Sequence, residues 1–337
     1  MMPRATPIRP FSFVLNGTSG RVLFSDAFIT DDPYDGRNLV LVTTYYPDMP
    51  FDFRTVNVRI DGVLLTVFDD RGRDEHAPMR VVIYPLHELE EREVHEVRVS
   101  YRGQSEVGRL SLERPPDEPV FALATLFKDD YSQIETCYRY YKDQGVERFF
   151  LFYNGRLGQV ASSLFSAPEI VYGEWPFLYW LDGVGPHRRH HAQTMFLTMV
   201  RYRFLSHCSY LALVDLDEFL GVRGGRPMTV RDYVERMDCE ALSARCHWSE
   251  VRKPGIGTRI ALPDLQSLWM NPMSEGDQRM KTIYRGDFRG LPDVHIPKLP
   301  DRSDISEELI LHHLVNTGHR RQNLMARDAV HAPLPVS

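Results

Sequence analysis

The sequence lacks the long apolar segments that membrane-spanning proteins carry. None of its apolar runs reaches the roughly eighteen residues that a helix needs to cross a bilayer. The basic N-terminal stretch is not followed by the apolar core of a signal peptide. We therefore expect a protein without a membrane span, and we expect the cytoplasm of a bacterium or of a virus-infected host cell as its compartment.

The chain also lacks a surplus of positive charge. It has 40 Lys and Arg against 46 Asp and Glu, a formal net charge of -6. A nucleic-acid-binding protein usually presents a basic field to the phosphate backbone. We therefore exclude nucleic acid from the expected partners. The hydrophobic share of 43% argues against a disordered chain.

Closely paired cysteines are missing as well. Zinc sites and disulfide frameworks place cysteines at short, repeated spacings. The four cysteines of this chain are far apart, in mostly apolar surroundings: Cys137, Cys208, Cys239 and Cys246. They predict buried free thiols in a reducing compartment.

Two regions of the chain follow different patterns. Residues 11–112 consist of short runs typical of strands, and Asp61-Gly62 lies between two of them as a strong hairpin signal. We predict an antiparallel β-sandwich over residues 1–114. Residues 115–119 form a proline-rich linker, and a second domain occupies residues 120–337.

The second domain opens with a β-α-β pattern. Residues 120–127 and 148–153 are apolar strands, and residues 132–144 between them have helical spacing and end before a glycine. Such strands pair in parallel, and ligands bind at their carboxyl ends. We also predict strands at 169–174 and 210–214, with a mostly buried helix at 190–206.

Three carboxylates follow the strand at 210–214. This strand is apolar on both faces, so Asp215, Asp217 and Glu218 must lie at its end. In an extended chain Asp215 and Asp217 point to the same face, with Cα atoms about 7 Å apart. Two such oxygen donors suit Mg²⁺ or Mn²⁺ bound to a diphosphate. The alternative is a solvated turn in which Asp217 caps backbone amides.

Motifs across residues 120–325 resemble glycosyltransferase family 92 and its bacterial relatives. Residues 127–154 resemble the family's opening: a strand, a lysine before an acid, a helix, a Gly-Val pair and an aromatic strand ending in asparagine. An HAQ segment at 191–193 and the D-x-D-E-F element at 215–219 follow in the family's order.

Three later landmarks also resemble the family: Lys281-Thr-Ile-Tyr-Arg285, His295, and Leu311-His-His-Leu314. The chain departs from the pattern at Leu314, where the family often has an aromatic residue. We also expect it to lack the N-terminal anchor of the familiar eukaryotic members, which leaves acceptor and compartment open.

The resemblance implies an α/β chain with a GT-A (Rossmann-like) catalytic domain preceded by the all-β, antiparallel sandwich. A nucleotide diphosphate sugar would then bind over the D-x-D element. Asp217 would be the principal metal ligand, and Asp215 would contact the metal or the ribose. His313 would be a distant metal ligand, with His312 left as an alternative.

Further candidate residues flank this centre. Lys128 would meet phosphate or an acidic partner, Asp129 and Asp130 the nucleoside, and Asn154 the base. Gln193 would face the site or orient the strand after it. The alternative for the lysine and the acids is surface charge at the start of a helix, and Asn-Gly is an ordinary turn.

Lys281 and Arg285 lie four residues apart on a predicted strand and so share a face. They would neutralise the departing diphosphate, although cations in such places are more often solvated. Inverting transfer needs a base on the acceptor side. The candidates are Glu250 and Glu218, and Trp248 would either stack on a sugar or belong to the core.

The sequence hypothesis is therefore a metal-dependent, inverting hexosyltransferase. It would use Mn²⁺ or Mg²⁺, a UDP-linked donor with galactose as the candidate sugar, and a carbohydrate acceptor. One alternative is a non-catalytic carbohydrate-binding protein in which the sandwich is the working part. The other is a metal-dependent phosphodiesterase or hydrolase. The sequence leaves the oligomeric state open.

Overall fold

The protein is a mixed α/β chain made mostly of strands, with few helices. A computed structural model describes residues 7–18, 21–32, 36–44, 46, 52–71, 79–87, 92–114, 118–128, 131–157, 163–181, 189–223, 228–253, 259–272, 279–290, 292, 303–315, 325 and 328–335. The described chain divides into two compact units. We call Arg9–Pro119 with Glu174–His207 the N-terminal unit, and Met1–Ile8, Val120–Gly173 and Cys208–Ser337 the C-terminal unit.

The strands, in chain order, are β1 Phe13–Val14, β2 Val22–Phe24, β3 Asp26–Asp32, β4 Gly36–Thr44, β5 Asn57–Ile60, β6 Val63–Leu65, β7 Asp69–Arg71, β8 Met79–Pro85, β9 Val94–Tyr101, β10 Gln104–Glu113, β11 Val120–Phe127, β12 Arg148–Tyr153, β13 Ile170–Glu174, β14 Trp180–Leu181, β15 Arg189–His190, β16 Cys208–Leu213, β17 Glu218–Val222, β18 Ala241–Val251, β19 Leu268–Met270, β20 Lys281–Arg285, β21 Ser303–Leu314 and β22 Val330–His331. The α-helices are α1 Ile134–Asp143, α2 His191–Phe204 and α3 Val230–Met237.

The N-terminal unit contains an eight-stranded sheet in the order β6-β5-β9-β10-β3-β4-β8-β7. Its pairings are antiparallel apart from the short β10–β3 contact, which is parallel. The predicted hairpin is confirmed, because Asp61 and Gly62 join β5 to β6 at φ values of 48° and 86°. Buried aliphatic and aromatic side chains from these strands form the core of the unit.

Helix α2 belongs to the N-terminal unit, whereas the sequence boundary places it in the 120–337 domain. All of its residues except Arg203 are buried, as the apolar pattern predicts. Arg203 donates to Asp26 on β3 over 2.8 Å and forms a two-point ion pair with Glu113 on β10. These ion pairs join the helix to two strands that are distant in sequence. The local pattern predicts the helix, but it carries no signal for this long-range attachment.

His191, the first residue of α2, is held as a neutral ring. Its Nε2 lies 3.1 Å from the Tyr46 hydroxyl, and its Nδ1 lies 3.2 Å from the carbonyl oxygen of Leu178. Burial lowers the pKa of His191 to about 4. Because Nδ1 must donate to the carbonyl, Nε2 is left as the acceptor for Tyr46.

We expect this buried ring to destabilise the fold in mild acid. Between the unfolded pKa of 6.5 and the folded pKa of about 4, the unfolded chain binds the extra proton, so stability falls as pH falls. The full shift corresponds to about 3 kcal/mol. Urea unfolding across this pH range should show a shallower pH dependence in His191→Gln, which cannot titrate. Parallel profiles for the two proteins would contradict the assignment.

The C-terminal unit contains a mixed sheet in the order β13-β12-β11-β16-β20-β18-β19-β22, and β21 pairs with both β18 and β17. The predicted β-α-β unit is confirmed: α1 connects β11 to β12, and the two strands are parallel. Strand β16 also runs parallel to β11, whereas β20 is antiparallel to β16. Three neighbouring strands, β12, β11 and β16, therefore end at one edge of the sheet.

Gly145 ends the helical region as the sequence predicts. Its φ of 89° is a left-handed conformation, and a Cβ there would lie 2.7 Å from Cβ of Arg231. Among the described helices, none is long and apolar enough to cross a membrane. All four cysteines are thiols rather than disulfides, and Cys137, Cys208 and Cys246 are buried as predicted, whereas Cys239 is only partly buried.

Candidate functional site

The candidate site lies at the edge where the three parallel strands end. Lys128 follows β11, Asn154 follows β12 and Asp215 follows β16 after one residue. The Asn154 amide donates to the Phe127 carbonyl over 2.7 Å, which joins the first two strand ends. Lys128 is exposed and Asn154 is buried. Asp129, Asp130 and the later landmark His295 lie outside the described residues.

The acidic segment after β16 is a tight turn rather than extended chain. The Glu218 amide donates to the Asp215 carbonyl over 3.1 Å, and the Asp215 amide donates to Oε2 of Glu218 over 2.8 Å. The extended geometry predicted for Asp215 and Asp217 is therefore wrong, because this reciprocal bonding closes the turn. The solvated alternative fits no better, since Asp217 is 8% exposed and Glu218 is 2% exposed.

Lys281 on β20 neutralises part of this acidic turn. Its Nζ lies 2.9 Å from Oδ2 of Asp215 and 3.2 Å from Oε2 of Glu218, and its side chain is only 6% exposed. Burial alone would lower the pKa of Lys281, but the two carboxylates outweigh this effect and raise that pKa. Burial raises the pKa of Glu218, and Lys281 opposes that rise. With its three acids ionised, the turn still carries more negative charge than this lysine balances.

His313 on β21 lies against the remaining acid. It is paired with Glu218 on β17 and with Trp248 on β18. Its Nε2 lies 3.5 Å from Oδ2 of Asp217, and its Nδ1 lies 3.6 Å from Oε1 of Glu218. The Trp248 ring packs on the imidazole with centroids 4.6 Å apart. This tilted contact, with 41° between the ring planes, restricts the imidazole, whose Nε2 is the nitrogen close to Asp217.

The choice between the two adjacent histidines is settled by strand geometry. Consecutive residues on a strand point to opposite faces. His312 accordingly points away from the acidic turn, and its Nδ1 lies 3.1 Å from the Ser249 hydroxyl. Burial lowers the pKa of His312 to about 3. His313 is therefore the histidine of the candidate site.

Asp217 and His313 fit a single divalent cation. No group of three or more His, Cys, Asp or Glu side chains converges as a metal site within the described part of the chain. However, adjacent ligands of an octahedral ion lie about 3 Å apart, and Oδ2 of Asp217 and Nε2 of His313 are 3.5 Å apart. Such ions commonly take few protein ligands and complete their shell with substrate phosphate and water.

The two candidate bases differ in their surroundings. The Glu218 carboxylate is buried and bonded to Lys281 and to the Asp215 amide, so it holds the turn together. Glu250 lies two residues after Trp248 on β18 and hence on the same face of the strand. Its side chain is 23% exposed and forms an ion pair with Arg252. Of the two, Glu250 is the one that is partly exposed to solvent.

One predicted site residue, Arg285, lies away from the acidic turn, and another, Gln193, belongs to the N-terminal unit. Arg285 is paired with Tyr210 near the start of β16, at the opposite end of that strand from the acidic turn, and it binds Asp287 and Asp238. The prediction that it shares a diphosphate with Lys281 is therefore wrong. Gln193 lies in the N-terminal unit, where its side-chain oxygen accepts a hydrogen bond from Tyr179 over 3.1 Å.

The sequence did not predict the pairing of Lys281 with the acidic turn, because the lysine was expected to neutralise the departing diphosphate. A signal was present, because Lys281 opens a strand whose next three residues are also buried. A charged side chain in such a place needs a partner. The sequence alone does not say which acid that partner is.

Comparison with known proteins gives little further guidance. No family model matches the chain, and no curated protein matches it. Among solved structures, an amylomaltase from Corynebacterium glutamicum shows a likeness at 12% identity and a TM-score of 0.16. The match covers 37% of this chain and 20% of the amylomaltase chain. A likeness at that level carries no argument about fold or activity.

Proposed function

We propose that this chain is a metal-dependent, inverting glycosyltransferase that moves a hexose from a nucleotide diphosphate sugar to a carbohydrate acceptor. The observation that carries the proposal is the pairing of Asp217 with His313 beside the carboxyl ends of three parallel strands. The motif resemblance supports a UDP-linked donor and galactose as the candidate sugar. It also supports a GT-A domain with an accessory β-sandwich.

Asp217 and His313 would hold Mn²⁺ or Mg²⁺. When bound, the ion would neutralise the charge that develops on the departing diphosphate. Asp215 is held in place by Lys281, so it can accept hydrogen bonds from a ribose without leaving the turn. Lys128, which is exposed, would meet the phosphates, and Asn154 at the same strand edge would contact the base.

Glu250 would act as the general base. It would take the proton of the acceptor hydroxyl as that oxygen bonds to the anomeric carbon, while the bond from this carbon to the diphosphate oxygen breaks on the opposite face. Trp248 is largely covered by His313 on one side and by the guanidinium of Arg279, 5.1 Å from the ring centroid. Its role in this proposal is to orient His313.

A metal-dependent phosphodiesterase is the second candidate. Such enzymes commonly use two metal ions about 3.5–4 Å apart. The described residues at this edge offer ligands for one ion, because the carboxylates of Asp215 and Glu218 already form ion pairs with Lys281. The acidic turn therefore favours the transferase over the two-metal hydrolase.

Donor hydrolysis tests the proposal without knowledge of the acceptor. Purified protein would be incubated with a panel of nucleotide sugars and Mn²⁺, with and without EDTA, and the released nucleoside diphosphate would be measured. We expect release from one donor, abolished by EDTA. No release from any donor, together with no calorimetric binding of UDP or GDP in the presence of Mn²⁺, would refute the proposal. Cleavage of a phosphodiester panel instead would favour the hydrolase.

A further inference from the structure

The outward face of strands β6, β5, β9 and β10 in the N-terminal unit carries an unusual row of side chains. Direct cross-strand pairing places Leu64 beside Arg59, Arg59 beside Arg98, and Arg98 beside Val107. All four residues are exposed. With strands about 4.8 Å apart, the row is about 14 Å long.

The central pair of this row, Arg59 and Arg98, places two positive charges directly opposite each other. Like charges directly opposite each other on adjacent antiparallel strands are destabilising. Arg109 lies on the same face, and Glu96 lies across from it and 3.7 Å from Arg98. Around this row the face has three arginines against Glu96, whereas Glu113 at the far end of β10 is paired with Arg203. The formal net charge of the whole chain is -6. These arginines repel one another, and they are clustered on one face of a chain that is acidic as a whole. Such a cluster indicates an anionic partner.

Apolar side chains surround these arginines. Leu64 is 41% exposed and Val107 47% exposed, and Val94 lies on the same face at 50%. The opposite face of the same strands is buried, with Val58, Ile60, Val97 and Val99 in the core. The outward face is thus amphipathic, with a cationic centre and an aliphatic rim.

We propose that this arginine face, defined by Arg59, Arg98, Arg109, Leu64 and Val107, docks on a membrane surface that contains anionic phospholipid. Guanidinium groups bind phosphate through two parallel hydrogen bonds. Aliphatic side chains around a basic centre enter the interfacial region, where each basic residue adds attraction to the anionic surface. A soluble anionic polymer would satisfy the arginines but would leave the aliphatic rim exposed. The inference does not depend on the transferase proposal.

Vesicle flotation of the full chain tests this surface. Vesicles of phosphatidylcholine alone would be compared with vesicles that also contain phosphatidylserine, at low and at high salt. We expect binding to the anionic vesicles that weakens with salt. The double variant Arg59→Ser and Arg98→Ser should bind about thirtyfold more weakly. Leu64→Ser with Val107→Ser should also weaken binding but keep its salt dependence.

A matched control removes the same charge elsewhere. Arg139→Ser with Arg236→Ser replaces two exposed arginines of the C-terminal unit, whose side chains are 61% and 54% exposed. This variant should bind like the unchanged protein. The Arg59 and Arg98 variant should keep a urea midpoint close to that of the unchanged protein, because the lost repulsion offsets the loss of the Arg59 hydrogen bond to the Gly62 carbonyl and of the exposed Arg98–Glu96 ion pair. A purely structural role for the two arginines predicts a clearly lower urea midpoint.

Four outcomes would overturn the proposal. The first is no preference for anionic vesicles, and the second is an equal loss of binding in the control variant. Binding to dextran sulfate without binding to vesicles would identify a polyanion as the ligand. A dimer in sedimentation that dissociates in the Arg59 and Arg98 variant would identify the face as a contact between copies of the chain.

Discussion

Replacing Asp217 by Asn should lower metal-dependent donor hydrolysis by roughly a hundredfold or more. A bound divalent ion supplies several kcal/mol of charge stabilisation to a departing phosphate, and each 1.36 kcal/mol is a tenfold change in rate. The substitution keeps the shape of the side chain but removes the anion that lies 3.5 Å from Nε2 of His313. Mn²⁺ affinity, measured by calorimetry, should fall in parallel with the rate.

The fold should tolerate this change. Asp217 is one of three clustered carboxylates, and its charge contributes to the raised pKa of Glu218 after burial and other neighbours. Removing it relieves repulsion, so the free energy of unfolding should stay the same or rise. A loss of activity caused by unfolding would instead appear as a lower urea midpoint.

Asp215→Asn is the matched control, because it removes the same charge from the same turn. The Asp215 carboxylate is already paired with Lys281, so Mn²⁺ affinity should change much less than in the Asp217 variant. Donor affinity should weaken instead if this residue meets the ribose. Equal losses of Mn²⁺ affinity in the two variants would contradict the assignment of Asp217 and His313 as the metal pair.

Local signals account for the parts of the fold that the sequence predicts well. Asp61-Gly62 specifies its turn through backbone conformations that few residues adopt, and Gly145 ends the region of α1 for the same reason. The β-α-β unit follows from periodicity and from the handedness of its crossover. These features depend on neighbours in sequence, so a single chain is sufficient to predict them.

Features that depend on distant partners could not be predicted in this way. Arg203 attaches α2 to strands of the N-terminal unit, although the helix follows the β-α-β region in sequence. Lys281 and Arg285 share a predicted face, yet each pairs with acids at a different end of β16. A cation in a buried strand predicts that an acid lies beside it. Which acid this is depends on how the strands pack together.

Replacing Lys281 by Met should produce the largest loss of stability among single changes at the site. Removing one member of a buried ion pair costs about 3–5 kcal/mol because the other member is left as an uncompensated charge. Here the ammonium is shared by Asp215 and by Glu218, which is 2% exposed. The free energy of unfolding of the full chain in urea should fall by this amount.

Lys142→Met provides the control for the Lys281 variant. Lys142 also forms an ion pair, with Glu169, but its side chain is 54% exposed. Exposed pairs contribute less than about 1 kcal/mol, so this variant should remain close to the unchanged protein. Similar losses in the two variants would show that burial of the acidic turn is not what makes Lys281 important.

Mn²⁺ should stabilise the Lys281→Met variant more than it stabilises the unchanged protein. Without the ammonium, the three carboxylates of the turn lack their buried cation, and a divalent ion at Asp217 and His313 would offset part of their repulsion. A ligand that binds only the folded state raises the free energy of unfolding by an amount that grows with the logarithm of its affinity. The shift in thermal midpoint on adding Mn²⁺ should therefore be larger in the variant, and an equal shift would place the ion away from this turn.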